Sequence, residues 1–128
     1  QCAGASLGSL ILLATLGNVS NLGMTLPTVS VGAALAIEFW LSFVLMATVV
    51  GATADDRWGG GGAAVAIGMA VALDVLMGGP LTGASMNPAR SFGPALIGQR
   101  WESQWLYWVA PIAGMTSAAA VLRWLRGR

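Results

Sequence analysis

An all-α membrane protein is the fold class this sequence predicts, and three observations carry the prediction. Hydrophobic residues make up 56 % of the 128 positions and charged residues only 9 %, with a mean hydropathy of +0.75; a soluble domain carries about 25 % charge. Apolar runs of helix-spanning length recur along the chain. Between the last two lies a stretch rich in glycine and proline that no continuous helix explains.

The same composition closes other routes. There is no His and no Lys, so a Ser-His or Cys-His pair and a His-containing metal site are both excluded. Cys2 is alone and has no disulfide partner in the chain. Six scattered Arg and a net charge of +1 give no basic patch for nucleic acid. No catalytic residue, metal site or cofactor is expected.

Residues 2–17 form a charge-free apolar run, shorter than the roughly 20 residues a span needs; the expectation is a helix whose start has been cut off. It lacks the basic leader of a signal peptide. Residues 18–32, rich in Asn, Ser, Thr and Gly with Pro27, read as a loop. Residues 33–54 read as a span, about 33 Å as a helix. Asp55-Asp56-Arg57 and the run Gly59–Gly62 read as a polar turn, residues 63–79 as a second span, 80–104 as irregular, and 105–125 as the last span. Small residues recur inside the spans (Gly4, Gly8, Ala52, Gly68, Ala72, Gly114, Ala118), a pattern that suits close helix packing.

Orientation follows from the positive-inside rule. Arg123, Arg126 and Arg128 cluster after the last span, which predicts a cytoplasmic C-terminus. The Arg57 turn is then cytoplasmic, and loops 18–32 and 80–104 face outward. Trp101, Trp105, Tyr107 and Trp108 fall at the outer interface, where an aromatic belt is expected.

Irregular backbone is tolerated at membrane depth only where protein buries it or it lines a wet cavity. Within 80–104, Asn87-Pro88 has the form of a helix start, Asn as N-cap and Pro at the first helical position. A half-helix over about 88–97 is expected, its positive dipole end at Asn87. Gly83-Ala84-Ser85-Met86 would run extended before it, with carbonyls that no helix pairs. A donor end beside a strip of acceptors suits a small polar solute; an ordered loop with an ordinary N-cap is the plainer alternative.

The run Gly83-Ala84-Ser85-Met86-Asn87-Pro88-Ala89-Arg90-Ser91-Phe92-Gly93-Pro94 resembles the second Asn-Pro-Ala loop of the aquaporin, or major intrinsic protein, family. Gln1-Cys2-Ala3-Gly4-Ala5 resembles that family's third helix. Glu38-Phe39-Trp40-Leu41-Ser42-Phe43 resembles its fourth, with Ser in place of Thr, and Tyr107-Trp108-Val109-Ala110-Pro111 its sixth. The resemblance implies an aquaporin-like right-handed helical bundle, of which residues 1–128 hold the second inverted repeat, with its re-entrant half-helix, and part of the third helix. The family has six spans and two such loops; one loop is found here.

Roles follow from the same resemblance. Asn87, Pro88 and Ala89 are the pore motif, with Asn87 donating its side-chain amide to the solute. Arg90 sits at the narrow outer filter, with Val75 and Ala84 at two further filter positions. Gly83, Ala84 and Ser85 supply a ladder of backbone carbonyls. Glu38 is a structural acceptor for loop N–H groups, where chemistry alone leaves a proton carrier open. From its position alone, toward the outer end of its span and beside Val75, Asp74 is expected to line the vestibule or bond to the loop. Arg90 follows Asn87 by three residues, so both can face one lumen; a partnerless Arg in an apolar loop would be costly, and an interfacial Arg on lipid phosphate is the alternative.

The implied function is passive passage of water and small neutral solutes such as glycerol and metalloid acids, in single file. Val75, Ala84 and Arg90 resemble the filter of nodulin-like plant and bacterial members, whereas Ser91, Ala95, Tyr107 and Trp108 resemble water-type positions. The implied partners are the lipid bilayer and three further copies in a homotetramer, in the plasma (inner) membrane. Two other readings stand beside it: a non-conducting fragment that needs the missing first repeat, and a secondary transporter, which also uses broken helices.

Overall fold

The computed structural model describes residues 1–54 and 59–127, helical throughout apart from short connections. Among the described residues five α-helices follow in order: α1 Cys2–Leu16, α2 Val31–Thr53, α3 Gly59–Thr82, α4 Pro88–Gly98 and α5 Leu106–Arg126. A left-handed turn over Ser20–Gly23 lies between α1 and α2. Among the described residues three helices, Val31–Thr53, Gly61–Thr82 and Leu106–Arg126, are long and apolar enough to cross a membrane. Residues 55–57, read above as part of a turn, and Arg128 lie outside the described residues.

The bounds of α1, α2, α4 and α5 differ from the sequence-derived ones by one or two residues, and the larger departure, in α3, has a physical reason. The glycine run expected in a turn belongs to α3, which then continues through Pro80 to Thr82. Glycine has poor helix propensity in water, but apolar surroundings demand internal backbone hydrogen bonds and favour helix regardless. The segment 80–104 is accordingly less irregular than expected. It holds the end of α3 and the 11-residue α4, closed by Gln99 in a left-handed conformation.

Packing divides the molecule into two groups joined at the half-helix. The long helix α2 packs on α5 and on α3, while α4 packs on α1 and touches α5. Glycine sets two of these crossings. A Cβ on Gly114 of α5 would collide with the backbone oxygen of Phe39 in α2, and one on Gly93 of α4 with the backbone of Ala5 in α1. The small residues of α1 and the middle of α3 behave differently: Gly4, Gly8 and Gly68 have open space where a Cβ would stand.

Helix α3 buries a single four-residue stripe, Ala70, Asp74, Gly78 and Thr82. Every member is small or polar. Leu41 of α2 fills the space over Gly78, so the two backbones come close and carry Thr82 to Glu38. The core is correspondingly local. One cluster joins Ala34 to Leu106 and Tyr107; another seats Ala84 and Met86, from the segment between α3 and α4, against Leu41. Tyr107 is fully buried rather than in an interfacial belt. Trp101 and Trp108 instead pack edge-on against Phe92 of the half-helix.

Candidate functional site

Two helices end face to face inside the bundle, α3 at Thr82 and α4 at Pro88. Such ends leave four carbonyls and four N–H groups unpaired. All four carbonyls of α3 find donors. The N–H of Gly83 donates to Gly79, the Thr28 hydroxyl to Pro80 at 2.9 Å, the Thr28 N–H to Leu81 at 2.9 Å, and the Tyr107 hydroxyl to Thr82 at 2.7 Å. At the start of α4, Pro88 has no N–H to satisfy. Ala89 and Arg90 donate to Asn87 Oδ1 at 2.9 and 3.4 Å, and Ser91 donates to the Asn87 carbonyl at 3.3 Å.

The intervening N–H groups are equally accounted for. Ala84 donates to the Thr82 hydroxyl, Ser85 to Glu38 Oε1 at 2.8 Å, Met86 to Glu38 Oε2 at 2.9 Å, and Asn87 to the Ser85 hydroxyl at 3.4 Å. The Thr82 hydroxyl adds a third donor to Glu38 at 2.7 Å. Glu38 is completely buried, and three donors are what a desolvated carboxylate needs.

The segment is not simply extended as its composition suggested. Gly83, Ala84 and Met86 have positive φ (84°, 43° and 51°). Such conformations cost a non-glycine residue about 1–3 kcal/mol and persist only where the surroundings over-determine them. Glu38, holding two consecutive N–H groups, is that surrounding. With the N–H groups turned to Glu38, the carbonyls of Gly83, Ala84, Ser85 and Met86 accept no hydrogen bond from any described residue.

Ala84, Ser85 and Met86 border an open cavity of about 530 Å³ that also meets Val71, Val75, Asn87 and Arg90, whereas Gly83 stands outside its lining. A neighbouring cavity of about 500 Å³, on the α1 side, is bordered by Gly4, Gly8, Asn87, Arg90 and Pro94. Asn87 and Arg90 border both. With Asn87 Oδ1 occupied by the N-cap, the donor Nδ2 is what its side chain retains for a ligand. Arg90 Nη1 donates to the carbonyl of Gly23 at 2.7 Å, so the turn between α1 and α2 anchors it. Ala84 is 3 % exposed and packs in the Leu41 cluster, which leaves its backbone as its contribution to the cavity. Pro88 borders the larger cavity and Ala89 the smaller.

Three further residues belong to this site although no sequence spacing marks them. Thr25, Thr28 and Tyr107 reach it from loops and helices far away in the chain. Asp74, by contrast, is 4 % exposed and makes no bond to the loop; its Oδ2 has no hydrogen-bond partner among the described residues. No group of His, Cys, Asp and Glu that could hold a metal ion occurs among the described residues.

A buried carboxylate that orders a broken-helix segment, facing an Asn-capped half-helix with an anchored Arg, has a counterpart in known sequences. The model of the major intrinsic proteins matches residues 1–122. The chain belongs to the major intrinsic protein family. Among curated relatives, a probable aquaporin TIP3-2 of Oryza sativa subsp. japonica is 44 % identical over 94 % of this chain and 46 % of its own length. A probable aquaporin NIP-type of Nicotiana alata is 45 % identical over 80 % of the chain and 38 % of its own length. Nodulin-26 of Glycine max is 40 % identical over 94 % and 46 %. The chain thus spans about half the length of the curated relatives it matches. As a major intrinsic protein it is a multi-pass membrane protein, and its all-helical architecture agrees with that family's fold.

Proposed function

We propose that this stretch forms one wall of a passive channel for water and small neutral solutes, glycerol and undissociated metalloid acids included. The carrying observation is that Ala84, Ser85 and Met86, whose carbonyls are unpaired among the described residues, border one cavity with Asn87, Arg90 and Val75. Solute leaving bulk water exchanges its hydrogen bonds for these groups, while the positive half-helix end and Arg90 oppose cations; pore diameter and lining groups of this kind set selectivity in aquaporin-type pores. In this proposal Asn87, Pro88 and Ala89 form the pore motif and Val75, Ala84 and Arg90 the filter. Gly83, Ala84 and Ser85 supply carbonyls, and Glu38 holds the loop.

Val75 sets the expected solute size. It is apolar and presents no hydrogen-bond donor, so the ring it shares with Arg90 admits molecules wider than water. Relatives named both TIP and NIP types match at similar identity, so resemblance alone does not choose between solutes. Stopped-flow shrinkage of proteoliposomes in sorbitol and in glycerol does. Glycerol should enter several-fold faster than into empty vesicles, and Val75→His should suppress glycerol while sparing water. Glycerol entry no faster than into empty vesicles would reject the wide filter and favour the water-type reading carried by Ser91, Ala95, Tyr107 and Trp108.

The cavity's open side favours a second reading for this stretch by itself, that of a non-conducting half awaiting a matching repeat. Water flux at the level of empty vesicles, restored by co-reconstitution with the first half of a relative, would establish it. The proposal also includes a homotetramer in the plasma (inner) membrane with a cytoplasmic C-terminus; Arg123 and Arg126 in the last turn of α5 support that orientation.

A further inference from the structure

Three buried hydroxyls connect the outer loop to the candidate pore. Thr25, Ser85 and Ser91 are 3 %, 4 % and 1 % exposed. Thr25 donates to Ser91 Oγ at 2.6 Å, Ser91 and Ser85 lie 2.6 Å apart, and Ser85 donates to the Asn87 carbonyl at 2.9 Å. Each hydroxyl has one proton. Since Ser85 gives its proton to Asn87, Ser91 must donate to Ser85, and Thr25 to Ser91. The direction of the whole chain is fixed, and all three protons are used.

Both ends of this relay are held. At one end, the Asn87 carbonyl also receives the Ser91 N–H, and the Asn87 side chain caps α4. At the other, Thr25 follows a run of left-handed residues, Ser20, Asn21, Leu22 and Gly23. Leu22 is buried there, and Met24 lies against Gly98 at the far end of the half-helix. The same turn supplies the Gly23 carbonyl that anchors Arg90. A strained turn is therefore fastened to the half-helix at three places, and Thr25 is the fastening that leads to Asn87.

We propose that Thr25 is a positioning residue for selectivity: through Ser91 and Ser85 it fixes the Asn87 amide and, through its own turn, the height of Arg90. This rests on the channel reading above. Removing the Thr25 hydroxyl leaves the buried Ser91 oxygen without its donor, and removing the Ser91 hydroxyl leaves the Thr25 proton without its acceptor and Ser85 without that donor, so Asn87 and Arg90 gain freedom where a solute would be measured against them. Water, the smallest solute, is least affected; the discrimination between water and glycerol-sized molecules is most affected.

Thr25→Val keeps shape and deletes the donor, Ser91→Ala deletes the middle hydroxyl, and Thr25→Ser keeps the donor as the rescue. Two readouts are taken on the reconstituted protein: the glycerol-to-water permeability ratio, and hydrogen–deuterium exchange of the peptide covering 85–91. Thr25→Val and Ser91→Ala should each shift the ratio about threefold or more and speed exchange. The double variant should do no more than either alone, because both break one chain, and Thr25→Ser should match the parent. An unchanged exchange rate in Thr25→Val overturns the relay, whatever the flux. Faster exchange with an unchanged ratio overturns the selectivity role and leaves a structural bond. A parent with no flux above empty vesicles fails the channel reading itself, and the selectivity claim falls with it.

Discussion

Glu38 and Asp74 are both buried carboxylates on facing helices, and their surroundings assign them opposite behaviour. Glu38 accepts three hydrogen bonds, two of them from consecutive backbone N–H groups. Glu38→Gln keeps the volume but turns one acceptor into a donor against an N–H. Hydrogen bonds to a charged group contribute about 1.5–3 kcal/mol, so the variant should lose about 3 kcal/mol and melt markedly earlier in detergent. A melting temperature equal to the parent's would remove Glu38 from its place as the organiser of residues 83–87. Asp74 carries a buried oxygen with no partner among the described residues, and an uncompensated buried charge costs several kcal/mol. Asp74→Asn should therefore melt at or above the parent temperature at pH 7 to 8. A loss of more than about 1 kcal/mol, the scale of one ordinary hydrogen bond, would mean that the carboxylate is partnered. Glu38 was legible only through the family resemblance. Nothing in the spacing separates it from a proton carrier, because its donors lie 44 to 48 residues away.

Among the elements, the half-helix was the most legible and its neighbour α3 the least. Asn87-Pro88 is a local signal, since the cap and the first-turn proline act within three residues. The start and end of α3 depend on what surrounds it. Its glycines become helical in apolar surroundings, and its last carbonyls are paired by Thr28 and Tyr107 from other parts of the chain. Glycine spacing likewise did not reveal which glycines are crossings. Gly93→Ala drives a methyl into the Ala5 backbone and should cost about 1–3 kcal/mol through overpacking, pushing α1 from α4. Gly68→Ala meets open space and should gain about 0.5–1 kcal/mol from helix propensity. Thermal unfolding followed by tryptophan fluorescence checks the pair; equal shifts for both would show that the α1–α4 crossing is not tight.

At the scale of the whole molecule, orientation in the bilayer is set by few charges. Arg123 and Arg126 end α5, and Arg126 also donates to the carbonyl of Val50 near the end of α2 at 2.8 Å, which ties these two helix ends to the same side. In the proposed topology Gln99, just beyond the half-helix, belongs to the opposite side. In a Cys2→Ser background, Gln99→Cys should react with an impermeant maleimide added outside intact cells. Labelling only after the membrane is opened would invert the proposed topology.

By itself the sequence determined the membrane class, the number and approximate place of the apolar runs, and the half-helix start. Composition, period and capping act within a few residues, so they can be read along the chain. The tertiary structure decided where α3 ends, which glycines are contacts, why Tyr107 is buried, and how Arg90 and Asn87 are held. Each of these depends on a donor and an acceptor, or two backbones, brought together from distant positions: Gly23 to Arg90, Thr25 to Ser91, Thr28 to Pro80, Phe39 to Gly114. The reason is the apolar surroundings. Lipid cannot satisfy the broken backbone there, so wherever it does not line the cavity the chain must supply the partner itself, and only folding determines which residue that partner is.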